Sequence, residues 1–146
     1  MLDPAETLDL HCVAGMMVPA SAEYGVPSAN DPAIFADIVA SLDRDFEGVR
    51  AALGTLAALA GGAFAGLDEA RRQAAVAAFQ EQGGIAPAIL TRVVLQCYYR
   101  DERVVRSLGL EPGPPFPKGH KLEQGDWSLL DSVRTRPKMW RDVPPR

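Results

Sequence analysis

The densest run of chemically versatile residues in the chain is Cys97-Tyr98-Tyr99-Arg100-Asp101-Glu102-Arg103. Tyrosine and arginine are enriched among the residues that contribute most to protein–protein binding. A helix end that packs its tyrosines inward and turns its charges to water accounts for most of this run. The composition also fits an interface, and we predict that Tyr98, Tyr99 and Arg100 contact a partner.

Histidine and cysteine do not form a recognisable catalytic or metal-binding pattern. His11 and His120 are the two histidines of the sequence, and neither has a further strong metal ligand in register beside it. Cys12 follows His11 directly, but adjacent residues on a helix do not face each other. Cys12 and Cys97 lie in apolar helical patterns, which predicts buried free thiols rather than a disulfide framework or a zinc site.

Glycine doublets and paired carboxylates also have a structural explanation. Gly61-Gly62 and Gly83-Gly84 follow helical patterns rather than strands, so they predict helix ends and not a dinucleotide-binding loop. The acidic pairs Asp43/Asp45 and Asp68/Glu69 stand at predicted helix starts, where the helix dipole favours them. We therefore predict no catalytic, cofactor-binding or metal-ligating residue in this chain.

Charge is distributed unevenly along the chain. Residues 1–108 hold 8 Lys and Arg against 14 Asp and Glu, a net charge of −6, whereas residues 109–146 hold 7 against 5, a net charge of +2. Phosphate binding needs a concentrated basic face, so we expect no nucleic-acid partner. No apolar run reaches the roughly 18 residues of a transmembrane helix, so we expect no membrane insertion.

The elements that must position these residues are predicted to be helices. The apolar residues of the first 109 positions recur at helical spacing, which predicts an all-α, compact bundle of about five to six helices. Asp3-Pro4 and Asp31-Pro32 combine an N-cap with proline at the first helical position. Asp43 or Asp45, and then Asp68, are expected to open further helices.

Three packing details follow from the same periodicity. The segment from Ile85 to Tyr99 is the most apolar and is expected to run through the centre of the bundle. Gly54, inside a predicted helix, is expected to let two helices approach closely. The helix that begins near Asp68 is expected to bury a face made of Leu67, Ala70, Ala74, Ala75, Ala78 and Phe79.

Residues 110–146 differ in composition from the rest of the chain and are predicted to form an extended, proline-rich C-terminal arm. Seven prolines between positions 112 and 145 exclude helix from most of it, although Asp126 to Arg134 suits one short helical turn. Large apolar residues punctuate the arm, and disordered tails are poor in them. We predict that the arm docks on a surface and that its interface residues are Phe116, His120, Trp127 and Trp140.

Several ordered motifs resemble the gluconate 2-dehydrogenase subunit-3 family over nearly the whole chain. They are Met17-Val18-Pro19-Ala20, Tyr24-Gly25-Val26-Pro27, the stretch from Phe64 to Phe79, Tyr98-Tyr99-Arg100-Asp101 with Leu108-Gly109, Pro115-Phe116-Pro117-Lys118-Gly119, Gly125-Asp126-Trp127-Ser128-Leu129-Leu130, and Arg141. Members of that family are small helical subunits that pair with a large flavin-dependent dehydrogenase of the glucose-methanol-choline class.

The resemblance implies a non-catalytic subunit that binds and stabilises a large FAD-dependent sugar or alcohol oxidoreductase. The FAD is expected in that partner and no cofactor in this chain; the assembly could be a homo-oligomer of heterodimers. Family members often supply a twin-arginine export signal, whereas Met1-Leu2-Asp3-Pro4-Ala5-Glu6 has no basic or apolar signal region. We therefore expect a cytoplasmic location, or a periplasmic one if the partner or a removed segment carries the signal.

Two other functions fit the same sequence. The chain could be an autonomous small helical enzyme or ligand-binding protein, with a pocket between the Tyr98/Tyr99 helix and the arm. It could also be a homo-oligomeric scaffold whose arm is exchanged between copies. The three hypotheses differ in what the purified chain should bind: a flavoprotein, a small molecule, or a second copy of itself.

Overall fold

The computed structural model describes residues 1–113, 119 and 123–139. Within them the predicted all-α class is confirmed, because they form helices and no strand. A single antiparallel bridge joins Ser21 and Val26 in the loop after the first helix. The α-helices are α1 (Pro4–Met17), α2 (Pro32–Ala40), α3 (Phe46–Ala60), α4 (Glu69–Gln82), α5 (Ile85–Tyr98), α6 (Glu102–Ser107) and α7 (Asp131–Arg134).

Aspartate side chains cap four of these helices. Asp3 accepts the backbone N–H of Glu6 at 2.8 Å while Glu6 accepts that of Asp3 at 2.9 Å, so the predicted N-cap of α1 is part of a reciprocal capping box. The side chains of Asp31, Asp68 and Asp101 accept a backbone N–H in the first turn of α2, α4 and α6. Each cap satisfies an N–H that would otherwise lack a partner inside the helix.

The start of α3 is built differently from the predicted aspartate cap. Asp43–Asp45 form a 3₁₀ turn, and neither that turn nor α3 has a side-chain cap. The two carboxylate oxygens of Asp45 instead accept hydrogen bonds from Arg92 on α5 at 2.7 and 2.9 Å. This guanidinium lowers the pKa of Asp45. The residue that would have capped α3 therefore ties α3 to α5.

The core of the first 113 residues lies around α3 and α5. Helix α3 packs against α1, α4 and α5, and α5 also packs against α2, so α3 shares the central position expected for α5. The side chains that solvent does not reach at all include Leu10, Ile38, Val49, Leu56, Phe64 and Val94. The buried carboxylate of Asp9 accepts the backbone N–H of Ala65 at 2.8 Å, which fixes α1 to the short 3₁₀ turn Phe64–Gly66.

Two expectations about packing were wrong. A Cβ atom at Gly54 would meet nothing within 4 Å, whereas one at Gly48 would collide with Ile89 on α5, so Gly48 is the glycine that permits close helix approach. On α4 only Ala75 and Phe79 are buried. Ala70 and Ala74 are exposed, because alanine is compatible with either face of a helix and small side chains do not define one.

The chain divides into two compact units, residues 1–113 and residues 114–146. In the second unit the described residues contain a 3₁₀ turn, Trp127–Leu130, that continues directly into α7. Asp126 opens the turn by accepting hydrogen bonds from the backbone N–H and the hydroxyl of Ser128, at 3.0 and 2.6 Å. None of the helices in the described part of the chain is long and apolar enough to cross a membrane.

Candidate partner-binding surfaces

The run from Cys97 to Arg103 forms the corner between α5 and α6, which we call the α5–α6 corner. Tyr98 lies inside the fold with 4% of its surface exposed, and its hydroxyl donates a hydrogen bond to the carbonyl oxygen of Pro27 at 3.2 Å. Burial raises the pKa of this phenol. Tyr98 therefore attaches α5 to the loop between α1 and α2.

Tyr99, the next residue along the chain, points the other way. Its side chain is 55% exposed, and its ring stands edge-on to that of Tyr98, with the centroids 5.3 Å apart. The sequence pattern treated the two tyrosines alike, but helix geometry turns adjacent residues about 100° apart. Of the two, Tyr99 has the ring that a partner can reach.

Arg100 is already engaged within the chain. Its Nε and Nη2 atoms donate to Oδ2 of Asp37 on α2 at 3.0 and 2.6 Å, and Nη2 also donates to the hydroxyl of Ser41 at 2.8 Å. The hydrogen bond to Asp37 is the main reason that the pKa of Arg100 is raised. About 58% of the side chain remains exposed, so a partner could contact its outer face without displacing Asp37.

Arg103 forms a further electrostatic link between the corner and α2, and the sequence interpretation missed it. Its guanidinium pairs with Asp31, the N-cap of α2, at 2.7 Å and with Asp101, the N-cap of α6, at 2.9 Å. These bonds lower the pKa of both carboxyl groups and raise that of Arg103. No local pattern signals the pairing, because Arg103 and Asp31 are 72 residues apart.

The two thiols are free but differ in environment. Cys97 is buried, as expected, and that burial raises the pKa of its thiol. Cys12 is only partly buried, so the expectation of a buried thiol was wrong there. Its Sγ accepts a hydrogen bond from Nη1 of Arg72 on α4 at 2.9 Å. The neighbouring His11 turns away and packs edge-on against Phe35.

Metal ligands do not converge in the part of the chain that the structure describes. No group of three or more His, Cys, Asp and Glu side chains among those residues is placed to hold a metal ion. The carboxylates of Asp31, Asp37 and Asp101, which meet the arginines of the α5–α6 corner, are instead paired with those arginines.

The 123–139 segment of the second unit presents apolar side chains to solvent. Trp127 is 60% exposed and Leu129 74% exposed, and the other exposed large apolar side chains of the segment are Leu130, Val133 and Met139. Trp127, Leu130 and Val133 are spaced three residues apart, which places them near one another on a helical turn. Arg134, Arg136 and Lys138 follow, so the apolar turn ends in basic residues.

The predicted contact residues thus divide into three groups. Tyr99 and Trp127 are exposed, whereas Tyr98 and Arg100 take part in bonds within the chain. Phe116, His120 and Trp140 lie outside the described residues. The role of each as a partner contact stays a prediction.

Comparison of the chain with models of protein families, with curated proteins and with solved structures finds no match.

Proposed function

We propose that this chain is a non-catalytic small subunit that binds and stabilises a large FAD-dependent sugar or alcohol oxidoreductase of the glucose-methanol-choline class. In this proposal the large subunit holds the FAD and carries out the redox chemistry. This chain contributes a helical body and, in the 123–139 segment, a surface for docking. The proposal joins the motif resemblance to the gluconate 2-dehydrogenase subunit-3 family with the exposure of that segment.

The observation that carries the proposal is the exposed apolar turn around Trp127. Its neighbours Leu129, Leu130 and Val133 are exposed as well, so four large apolar side chains face water within seven residues. A cluster of this kind marks an interaction site more often than an ordinary surface. Tryptophan is among the residue types that are enriched in binding hot spots, so Trp127 is the candidate anchor of this turn.

Co-expression tests the proposal directly. The full chain is co-expressed with a glucose-methanol-choline-type flavoprotein from the same source and purified through a tag on the chain. We expect a yellow complex that shows flavin absorbance, and we expect deletion of residues 110–146 to weaken it. A purified chain that retains no flavoprotein under any condition would contradict the proposal.

A single substitution tests the role of the anchor. Trp127→Ala is expected to weaken the complex about 30-fold, which corresponds to the roughly 2 kcal/mol of a hot-spot residue. Tyr24→Ala is the matched control, because Tyr24 is an aromatic residue of similar exposure in the loop after α1. Equal affinity of the two variants would show that Trp127 is not an anchor.

A further inference from the structure

A groove runs along the body between the end of α1 and the outer side of α4. It has a volume of about 610 Å³ and is lined from α1 by Met16 and Met17 and from α4 by Gln73, Val76 and Ala77. Helix α4 packs mainly against α3, and this leaves the space between α4 and α1 open. The groove is therefore a gap between two helices rather than an enclosed pocket.

The floor of the groove continues toward the core. A second cavity of about 40 Å³ shares Met17, Val76 and Gln80 with it and is lined more deeply by Phe79 and Leu90, both of which are buried. Met16, Met17 and Val76 are only partly buried where they pack on the core. Methionine side chains adapt to varied apolar shapes and are common where a protein receives a helix of another protein.

The dimensions of the groove suit a helix. The lining residues of α4 recur from Glu69 to Gln80 at helical spacing, which corresponds to a length of about 16 Å, or three turns. An added helix would lie beside α1 and α4 and would complete the layer that these two helices leave open. A small molecule would be covered on too few sides, because small-molecule sites typically bury roughly 70–90% of the ligand surface.

Charge indicates the chemistry of the helix that fits. Among the described residues that line the groove, Glu69 is the one with a charged side chain. Its carboxylate accepts a hydrogen bond from Gln73 at 2.9 Å, and Arg72 lies 3.8 Å from its second oxygen. Residues 1–108 as a whole carry a net charge of −6. A helix with basic flanks is attracted to this surface, and one with acidic flanks is repelled.

We infer that the α1–α4 groove receives an amphipathic helix of the large subunit, with an apolar face against Met16, Met17 and Val76 and lysine or arginine near Glu69. This inference rests on the proposed function and adds a second attachment point to it. The 123–139 segment of this chain contacts the large subunit, and the groove accepts an element of the large subunit in return.

A binding experiment on the full chain tests the groove. The probe is a fluorescent synthetic helix of about 18 residues built from leucine and lysine with one apolar face, compared with a leucine and glutamate peptide of the same pattern. Anisotropy titrations should show binding of the lysine peptide and at least about tenfold weaker binding of the glutamate peptide. Equal binding of the two peptides would overturn the inference.

Matched variants locate the bound helix. Ala77→Arg places a long cation in the groove and should weaken binding of the lysine peptide at least about tenfold, whereas Ala51→Arg, at an exposed alanine inside α3, should leave it unchanged. Glu69→Gln should weaken it about two- to fivefold and Glu81→Gln should not, because Glu81 is an exposed acid of α4 that does not line the groove. Equal effects within either pair would overturn the inference.

The flavoprotein complex separates this inference from the proposed function. Ala77→Arg should weaken retention of the flavoprotein relative to Ala51→Arg. Full retention by the Ala77→Arg chain would overturn the groove inference and leave the proposed function standing. A dimer of the isolated chain that dissociates only in Ala77→Arg would also overturn it, because the occupant would then be a second copy. Absence of flavoprotein binding by the unmodified chain would instead refute the proposed function.

Discussion

The α5–α6 corner and the 123–139 segment use similar residues in opposite ways. In the corner, Tyr98 is buried and hydrogen-bonded, and Arg100 and Arg103 are paired with aspartates of neighbouring helices. In the segment, Trp127 and Leu129 are largely exposed. Tyrosine, tryptophan and arginine are all typical of binding surfaces, yet most of those in the corner hold the fold together.

The difference shows that residue type alone does not identify an interface. A side chain can contribute to binding a partner only with groups that the fold has not already engaged. Tyr99 and Trp127 satisfy this condition, because more than half of each side chain is exposed. Tyr98 does not, and changing it should affect folding before it affects binding.

Truncating the aromatic residues of the corner should produce the largest contrast. Tyr98→Ala is expected to cost about 3–5 kcal/mol of unfolding free energy, because it empties a buried site and leaves the Pro27 carbonyl without its donor. Tyr99→Ala should cost less than about 1 kcal/mol. Urea denaturation of the two variants measures both values, and similar losses would mean that Tyr99 is also part of the core.

Acid should weaken the corner through Asp31 and Asp101. Arg103 holds the pKa of both carboxyl groups below the ordinary value of about 3.9, so their contribution to stability is present above about pH 4 and is lost as the pH falls through the lowered values. Arg103→Gln should reduce this dependence. Urea midpoints at about pH 7 and pH 3 test it.

In the Arg103→Gln chain, the loss of stability on acidification should be smaller than in the unmodified chain, but it should not disappear. Asp45 and Glu6 also have a lowered pKa, because of Arg92 for the first, and mainly because of the backbone N–H of Asp3 and then Arg50 for the second. An Arg103→Gln chain that loses as much stability on acidification as the unmodified chain would refute the role given to the Asp31–Arg103–Asp101 cluster.

The two thiols should report whether the corner opens. Cys12 is partly exposed and should react with a thiol reagent in the folded protein, whereas Cys97 is buried, has a raised pKa and should react only when α5 moves. Mass spectrometry of partly alkylated protein distinguishes the two sites. Tyr98→Phe should increase the rate at which Cys97 is labelled without changing the rate for Cys12. Faster labelling of Cys97 than of Cys12 in the unmodified chain would contradict this prediction.

The smallest effect on folding is expected in the 123–139 segment. Trp127→Ala and Leu129→Ala should each change the unfolding free energy of the chain by less than about 0.5 kcal/mol, because both side chains are already exposed. Thermal melts followed by circular dichroism provide the measurement. A loss comparable to that of Tyr98→Ala would show that the segment is part of the folded core rather than a docking surface.

Local features of this fold could be predicted from the sequence, and distant pairings could not. The Asp-Pro starts of α1 and α2 and the stops at Gly61 and Gly83 lie within a few residues of the helices that they bound. The bond between Arg103 and Asp31 joins residues 72 apart, and nothing in the spacing of either residue points to the other. It forms only once the fold has brought α6 to the start of α2.

The candidate sites show the same limit. The sequence predicts that Trp127 is an apolar anchor of the arm. It does not predict that Trp127 is exposed, because exposure depends on how the chain packs. The groove beside α4 was not predicted, because it is a gap between α4 and the end of α1, and the distance between two helices does not follow from the spacing of residues within either one. Gly48 and Gly54 are both interior glycines of α3, and only the fold shows that Gly48 is the one that faces Ile89.

The loop between α1 and α2 offers a site at which a label can be inserted. Its base is closed by hydrogen bonds from Ser28 and Ala29 to the carbonyl oxygen of Val18, and its tip is closed by the Ser21–Val26 bridge. Residues 22–25 at the tip thus lie outside the hydrogen bonds that close the loop. Doubling the length of a flexible loop adds only about 0.6 kcal/mol to the entropic cost of closing it. A fluorescent label or peptide tag inserted there should leave the body intact and travel with it into any complex that the chain forms.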